Sequence, residues 1–307
     1  MNYDVTVIGE IYLDHVFSGF AEWPSPGSEV FTEDYVWELG GGAITTACAL
    51  SLLGRKVKLI GLVGEGELKA IAERLTSFHV SADSLIISEG RSGITVSIST
   101  ASDRTFFTYR GVNQELTPHL LAHPELVEQA SGARHVHLAF PLEASVGPQL
   151  LSSLKSQGAT TSLDVGHHVE WLRNAESWQL LRAIDYVIPN EKEAAMLAGN
   201  SEAYLELCQQ HGVEHALVKL GAAGAAMLAG SAHYRALPPE VALVDTTGAG
   251  DAFNAGFIDA LLSGLSPQQC LQHGCVCGAL STRAAGALQA LPTLAETEAA
   301  LEEFYAT

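Results

Sequence analysis

The sequence predicts an α/β protein: a doubly wound, mostly parallel sheet flanked by helices, with a small β-sheet lid. Three observations carry this expectation. Short β-type runs alternate with longer helical patterns through most of the 307 residues. Two segments break that alternation with strand-like patterns that no helix covers. The composition, 47% hydrophobic and 17% charged, belongs to a chain that can bury a large core.

The elements follow in order. Val5–Gly9, Lys58–Val63, His135–Ala139, Thr161–Val165, Tyr186–Pro189 and Ala216–Lys219 read as buried strands. Between them, Ala43–Leu53, Glu67–Phe78, Ser145–Gln157, Glu191–Ala198 and Glu202–His211 read as helices. From Gly250 onward the pattern is helical, broken at Ser263-Gly264, Gly286 and Pro292. The exceptions are Val16–Leu39 and Gly93–Gly111, the second a hairpin of Ile94–Thr100 against Arg104–Tyr109 across Ala101-Ser102-Asp103. The expectation is one domain over 1–307, with a lid formed by inserted segments at about 12–39 and 93–111. A lid sheet closes a cleft or pairs two copies of the chain.

A formal net charge of -19 argues against a nucleic-acid or anionic-membrane partner, which would need clustered Lys and Arg. Phosphate remains an acceptable ligand, because backbone amides at a helix N-terminus hold it without basic side chains. Met1-Asn2-Tyr3-Asp4 runs straight into apolar Val5-Thr6-Val7-Ile8 with no basic or apolar leader, so a cytoplasmic protein is expected. The apolar stretch around Ala222–Ala232 is too short to span a bilayer. Cys48, Cys208, Cys270, Cys275 and Cys277 include no CxxC pair and read as buried free thiols.

The chemistry is concentrated in Val244-Asp245-Thr246-Thr247-Gly248-Ala249-Gly250-Asp251-Ala252-Phe253, which opens into a helix. A small-residue turn there exposes unpaired N–H groups at the positive end of the helix dipole. Gly248, Ala249 and Gly250 are therefore placed to hold charge on a transferring group. Asp251 is placed to take a proton from a nucleophile lying over the same amides. A helix cap with a glycine turn is the competing structural explanation.

The full string resembles the second signature of the ribokinase-like PfkB family of carbohydrate and nucleoside kinases, and other parts follow in family order. Gly9-Glu10-Ile11-Tyr12-Leu13-Asp14 looks like the first strand with the Asp that binds sugar hydroxyls. Gly40-Gly41-Gly42-Ala43-Ile44-Thr45 is similar to the first signature, whose diglycine lets substrate approach the backbone. Pro189-Asn190-Glu191-Lys192-Glu193 matches the Asn-x-x-Glu element that helps place magnesium around the phosphates. Lys219-Leu220-Gly221-Ala222-Ala223-Gly224 resembles the strand and turn under the nucleotide. Gly286-Ala287 resembles the turn near adenine.

The resemblance implies γ-phosphoryl transfer from ATP, with magnesium, to a hydroxyl, and a primary hydroxyl of a free sugar or sugar acid is the expected acceptor. It implies ATP contacts at Asn190, Lys219, Gly221, Gly224, Thr246 and Gly286. Substrate contacts are implied at Asp14, Gly41, Gly42, Thr45, Asn113 and Asp251. Glu193 would act on magnesium indirectly, and Asp245 and Thr247 would serve a monovalent cation such as K+. No Walker A loop is present, so the Gly248–Gly250 turn and magnesium would neutralise the phosphates.

Departures fall on the acceptor side. Thr45 stands where the family has Asn, Asp164-Val165-Gly166 replaces Asp-Pro-Asn, and Gly64-Glu65-Gly66-Glu67 replaces Gly-x-Asp-x-x-Gly. No Lys or Arg occurs from Ile11 to Gly42, and the hairpin holds only Arg104 and Arg110, which favours a neutral polyol over a sugar phosphate. His135 and His137 on one strand and His167-His168 after another lack the further ligands of a zinc site, and read as surface or supporting residues. Trp23, Phe31, Tyr35, Trp37, Phe106, Phe107 and Tyr109 read as lid core or dimer core. A nucleoside kinase is the nearest alternative function. Two alternatives are distant: an oxidoreductase, since Val7-Ile8-Gly9-Glu10 does not continue into Gly-x-Gly-x-x-Gly, and a catalytically silent nucleotide-binding regulator, since Asp251 and Glu193 are both present.

Overall fold

Val5-Thr6-Val7-Ile8-Gly9 is buried at every position, as a strand covered by helices on both faces must be. The computed structural model of the chain describes residues 3–100 and 104–305. The early strands are β1 (Val5–Gly9), β2 (Tyr12–Phe20), β3 (Tyr35–Gly40), β4 (Val57–Ile60), β5 (Leu62–Gly64), β6 (Ile86–Ser88) and β7 (Gly93–Thr100). The later ones are β8 (Arg104–Tyr109), β9 (His135–Ala139), β10 (Thr160–Leu163), β11 (Tyr186–Val187), β12 (His215–Lys219), β13 (Ala225–Ala229) and β14 (Ala232–Ala236).

The helices begin with α1 (Gly42–Leu52), α2 (Leu68–Thr76), α3 (Leu116–Ala122), α4 (Pro124–Ser131), α5 (Gly147–Leu154) and α6 (Val169–Arg173). They continue with α7 (Ser177–Leu181), α8 (Glu191–Ala198), α9 (Ser201–Gln210), α10 (Ala249–Leu262), α11 (Pro267–Ser281) and α12 (Leu294–Tyr305).

Eight strands form the central sheet in the order β14-β13-β12-β11-β10-β9-β1-β4. All its pairs are parallel except β12–β13 and β13–β14. One apolar cluster, including α1, α10 and α11 residues, covers one face, and a second covers the other. The chain leaves β1 toward β4 on one side and later fills β9 and its neighbours on the other. The strand order therefore reverses between β1 and β9, and a crevice opens at their carboxyl ends.

The lid is a separate sheet in the order β3-β2-β7-β8. The predicted hairpin forms, with Ile94 opposite Tyr109 and Ser99 opposite Arg104, while its Ala101-Ser102-Asp103 turn lies outside the described residues. Asp14 pairs with Glu38 and Thr95, which sets those residues on one face of the sheet. His15, Trp37, Val96 and Phe107 form the next row and point the other way.

The structure corrects four expectations. Lys58–Val63 is two strands, because the chain turns at Gly61, where it approaches the Gly9 carbonyl too closely for a side chain. β13 and β14 add a hairpin in the glycine-interrupted alanine stretch. The lid aromatics are not a core within one chain: Phe31 is 85% exposed, and Phe106, Phe107 and Tyr109 are each more than half exposed. A single sheet has two faces, and among the described residues the outer one has no covering layer. His135 and His137 are fully buried rather than on the surface, bridged by Ser162 Oγ at 2.7 Å from each. Burial pushes their pKa values down to about 3 and about 4, so both are neutral.

Candidate active site

At the reversal of strand order, α1 and α10 meet. Gly248 is the N-cap of α10 with φ 75°, and a side chain there would run into Ala287. Ala249 N–H donates to Thr246 O, and Ala252 N–H donates to Gly248 O. Helix geometry leaves the Gly250 and Asp251 N–H groups without intrahelical acceptors, aimed into the crevice. The Asp251 carboxylate reaches across to α1, where a Cβ on Gly42 would lie 2.9 Å from its Oδ1. The diglycine and the Gly248–Asp251 turn therefore face each other across a gap that only glycine leaves open.

Asp251 is half-buried. Burial raises its pKa to about 7, with Asp164, Glu193 and Asp14 adding to the rise and Lys219 opposing it. Asp14, on β2, lies over Gly40 so closely that a side chain there would collide with its carboxylate. Burial, reinforced by Glu38 and opposed by a hydrogen bond from Thr95, brings Asp14 up to about 6. Both carboxylates thus stand in a poorly hydrated cleft under the lid, which is the environment that strengthens hydrogen bonds to hydroxyl groups.

The chain matches the pattern described as "pfkB family carbohydrate kinase" over residues 3–294. It belongs to that family. Among sequence relatives, a ribokinase of Haemophilus influenzae is 28% identical over 318 residues, covering 98% of this chain and 99% of the relative. An uncharacterized sugar kinase of Archaeoglobus fulgidus is 32% identical over 257 residues, covering 79% of this chain and 98% of the relative. Among solved structures, Arabidopsis thaliana ribokinase complexed with ribose and ATP has a TM-score of 0.83 at 25% identity, covering 98% of this chain and 99% of that one. A Burkholderia thailandensis nucleoside kinase in complex with inosine shares the fold, with a TM-score of 0.84 at 18% identity over 99% of both chains.

In this pfkB kinase the remaining predicted site residues fall into three groups. Asn190 caps α8: its Oδ1 accepts from Glu193 N–H at 2.9 Å, while the Glu193 carboxylate accepts from Asn190 N at 2.8 Å and Nδ2 at 2.6 Å. Burial, with Asp164 nearby, raises Glu193 to about 7. Gly221 and Gly224 bound the turn after β12, and Gly224 packs on the Ala236 carbonyl with no room for a side chain. Asp245 draws the C-terminal loop in, accepting from Thr247 N–H at 2.9 Å and from Gly286 N–H at 2.8 Å. Thr246 is exposed beside this loop.

Two of the residues implied for the acceptor are buried. Asn113 bonds the Ile11 backbone with both ends of its amide, Oδ1 accepting at 3.0 Å and Nδ2 donating at 2.8 Å. It is a clamp on the β1–β2 junction. Thr45 is 1% exposed beside Gly248, and its Oγ1 has no hydrogen-bond partner.

The sequence reasoning missed Glu10, which accepts from Tyr12 Oη at 2.6 Å and Arg110 at 2.5 Å and has His168 at 3.5 Å. Arg110, one of only two hairpin cations, is thereby paired. It also missed Asn254, whose position one helical turn after Asp251 was the available signal. Among the described residues, no cluster of three or more His, Cys, Asp or Glu is arranged to hold a metal ion, and no helix is long and apolar enough to cross a membrane.

Proposed function

We propose that this kinase transfers the γ-phosphoryl group of ATP to a primary hydroxyl of a free sugar or sugar acid, with Asp251 as base. The observation that carries this is the Asp251 carboxylate facing Gly42 across the crevice, beside the first-turn amides of α10. Asp14 accepts hydrogen bonds from substrate hydroxyls, and Gly41 and Gly42 form the floor on which the acceptor lies. Asp251 then takes the hydroxyl proton as the oxygen attacks, and the Gly250 and Asp251 N–H groups stabilise charge on the moving phosphoryl group. Gly221, Gly224, Thr246 and Gly286 line the nucleotide end, and Thr45 offers its unpartnered hydroxyl beside the turn.

Magnesium neutralises phosphate charge when bound. Glu193 fits a role through water, since both its oxygens already accept from Asn190. Glu193→Gln is expected to raise the magnesium concentration required for half-maximal activity. An unchanged magnesium titration would leave Glu193 as a helix cap alone. Asp245 and Thr247 are assigned to ordering a monovalent-cation loop, for which potassium dependence of the rate is the check. The exposed outer face of the lid is assigned to a second copy of the chain, and sedimentation at assay concentrations checks it. A cytoplasmic setting is expected, which fractionation of the source cells tests.

The sugar assignment is supported by the sugar-kinase relatives and by the pairing of Arg110 with Glu10, which engages that guanidinium within the protein. The nucleoside-kinase neighbour supports the second reading, a nucleoside acceptor. An ADP-release screen over free sugars, sugar acids and nucleosides tests both. Turnover with a sugar supports the first reading, turnover with nucleosides alone the second, and turnover with none overturns both.

A further inference from the structure

Asp164 keeps the first residue of the family's Asp-Pro-Asn stretch, whose other two positions are Val165 and Gly166 here, and the structure puts it behind the turn that opens α10. It follows β10 and is 8% exposed. Lys219, at the end of β12, donates Nζ to Asp164 Oδ2 and, at 3.4 Å, to Asn254 Oδ1. Asn254, on α10, closes the triangle by donating Nδ2 to Asp164 Oδ2 at 2.7 Å. A Cβ on Gly250 would lie 3.2 Å from Lys219 Nζ, so the ammonium sits directly behind the turn that presents Asp251.

Lys219 is the only buried Lys or Arg among the described residues. The charged groups facing it come from three elements: Asp164 after β10, Glu193 on α8 and Asp251 on α10. Neutral His137 on β9 borders Asp164, and Asp14 on β2 faces Asp251 from the lid. Burial opposes the charge on Lys219, but these carboxylates hold it protonated. With its ammonium turned to Asp164 and Asn254, Lys219 is engaged away from the nucleotide contact expected of it.

We propose that Asp164, Lys219 and Asn254 are positioning residues for the base: the triad seats the Gly250–Asp251 turn and sets one fixed ammonium behind the Asp251 carboxylate. This rests on the reading of Asp251 as base. The hydroxyl proton still goes to Asp251, and the triad neither gains nor loses a proton in the step.

The signs of the expected effects separate this from simple packing. Activity requires ionised Asp251, so the acid limb of the kcat–pH profile marks its titration. Lys219→Met removes a stabilising cation and is expected to move that limb to higher pH by about one unit. Asp164→Asn removes a repelling anion and is expected to move it the opposite way, and the double variant should return toward wild type. The KM for ATP should change by less than about threefold, far short of the tenfold that losing a charged phosphate contact would cause. Thermal melts accompany each profile, because breaking a buried pair destabilises more than removing both members.

Limbs that stay put while stability falls would overturn the proposal in favour of a structural ion pair. An unmoved limb with KM for ATP raised tenfold would make Lys219 a phosphate ligand instead. Where Lys219→Met does not fold, Asn254→Asp places a carboxylate in the same volume, and a folded variant with an unmoved limb overturns the idea. Asp251→Asn, run alongside, fails separately: if it stays active, the base assignment falls, and the triad proposal with it.

Discussion

Asp251→Asn is expected to lower kcat by roughly 10²–10⁴ while ATP still binds. The substitution keeps the shape of the side chain and removes the proton acceptor. Its effect on α10 as a helix should be small, since losing one acidic group near a helix N-terminus costs only about 0.3–1 kcal/mol. The wild-type enzyme should also show an acid limb near the value to which burial raises Asp251, about 7. The sign follows from the role: below that pH the carboxyl holds its own proton and cannot accept another, and above it the base is free. The variant should lack this limb. A variant retaining more than about a tenth of wild-type kcat would make Asp251 a helix cap.

Asp14→Ala is expected to weaken acceptor binding at least about tenfold, with ATP affinity little changed. Asp14 hangs from the lid over Gly40 and lies within electrostatic reach of Asp251, which is the ground for proposing it at the acceptor end of the cleft. Removing it leaves substrate hydroxyls unpaired in a closed site, at roughly 1–3 kcal/mol. Because desolvation raises its pKa to about 6, acceptor affinity should also decline as the pH falls through that value, where the carboxylate becomes protonated. Separate titrations of sugar and nucleotide against a folded variant check this. Equal loss of both ligands would make Asp14 a support for the lid, and unchanged sugar affinity would remove it from the site.

The parts of this protein that were legible in its sequence are local ones. The turn that opens α10 lies in a continuous string from Asp245 to Phe253, and the α8 cap is spelled by Asn190 and Glu193 three residues apart. The lid hairpin was legible because Ile94–Thr100 and Arg104–Tyr109 alternate with the strand period. β13 was not, because Ala225-Ala226-Met227-Leu228-Ala229 has no β-branched residue and no alternation. The Asp164 contacts join residues 55 and 90 positions apart, and the Asn113 clamp reaches back 102. No spacing rule covers such distances. Asn113 read as a substrate contact because its neighbours resembled a family pattern, while its amide has the geometry of a strand partner for Ile11.

The lid joins the body of the enzyme at four places: Glu10–Ile11, Gly41, the 89–92 segment and Arg110. These lie along one rim, since Tyr12 pairs with both Gly40 and Gly93 and Ile94 pairs with Tyr109. The rim is stitched by Asn113 to Ile11, Arg110 to Glu10, and Val112 N–H to Arg91 O. Glu38 on β3 adds bonds to Arg74 at 2.7 Å and Gln289 at 2.8 Å. Such a lid is bound like the cover of a book along its spine, with no single residue as the pin. Opening has to flex four backbones together, so cutting one stitch softens the motion without freeing the cover. Product release through an opening lid is then expected to depend on the stiffness of the whole spine.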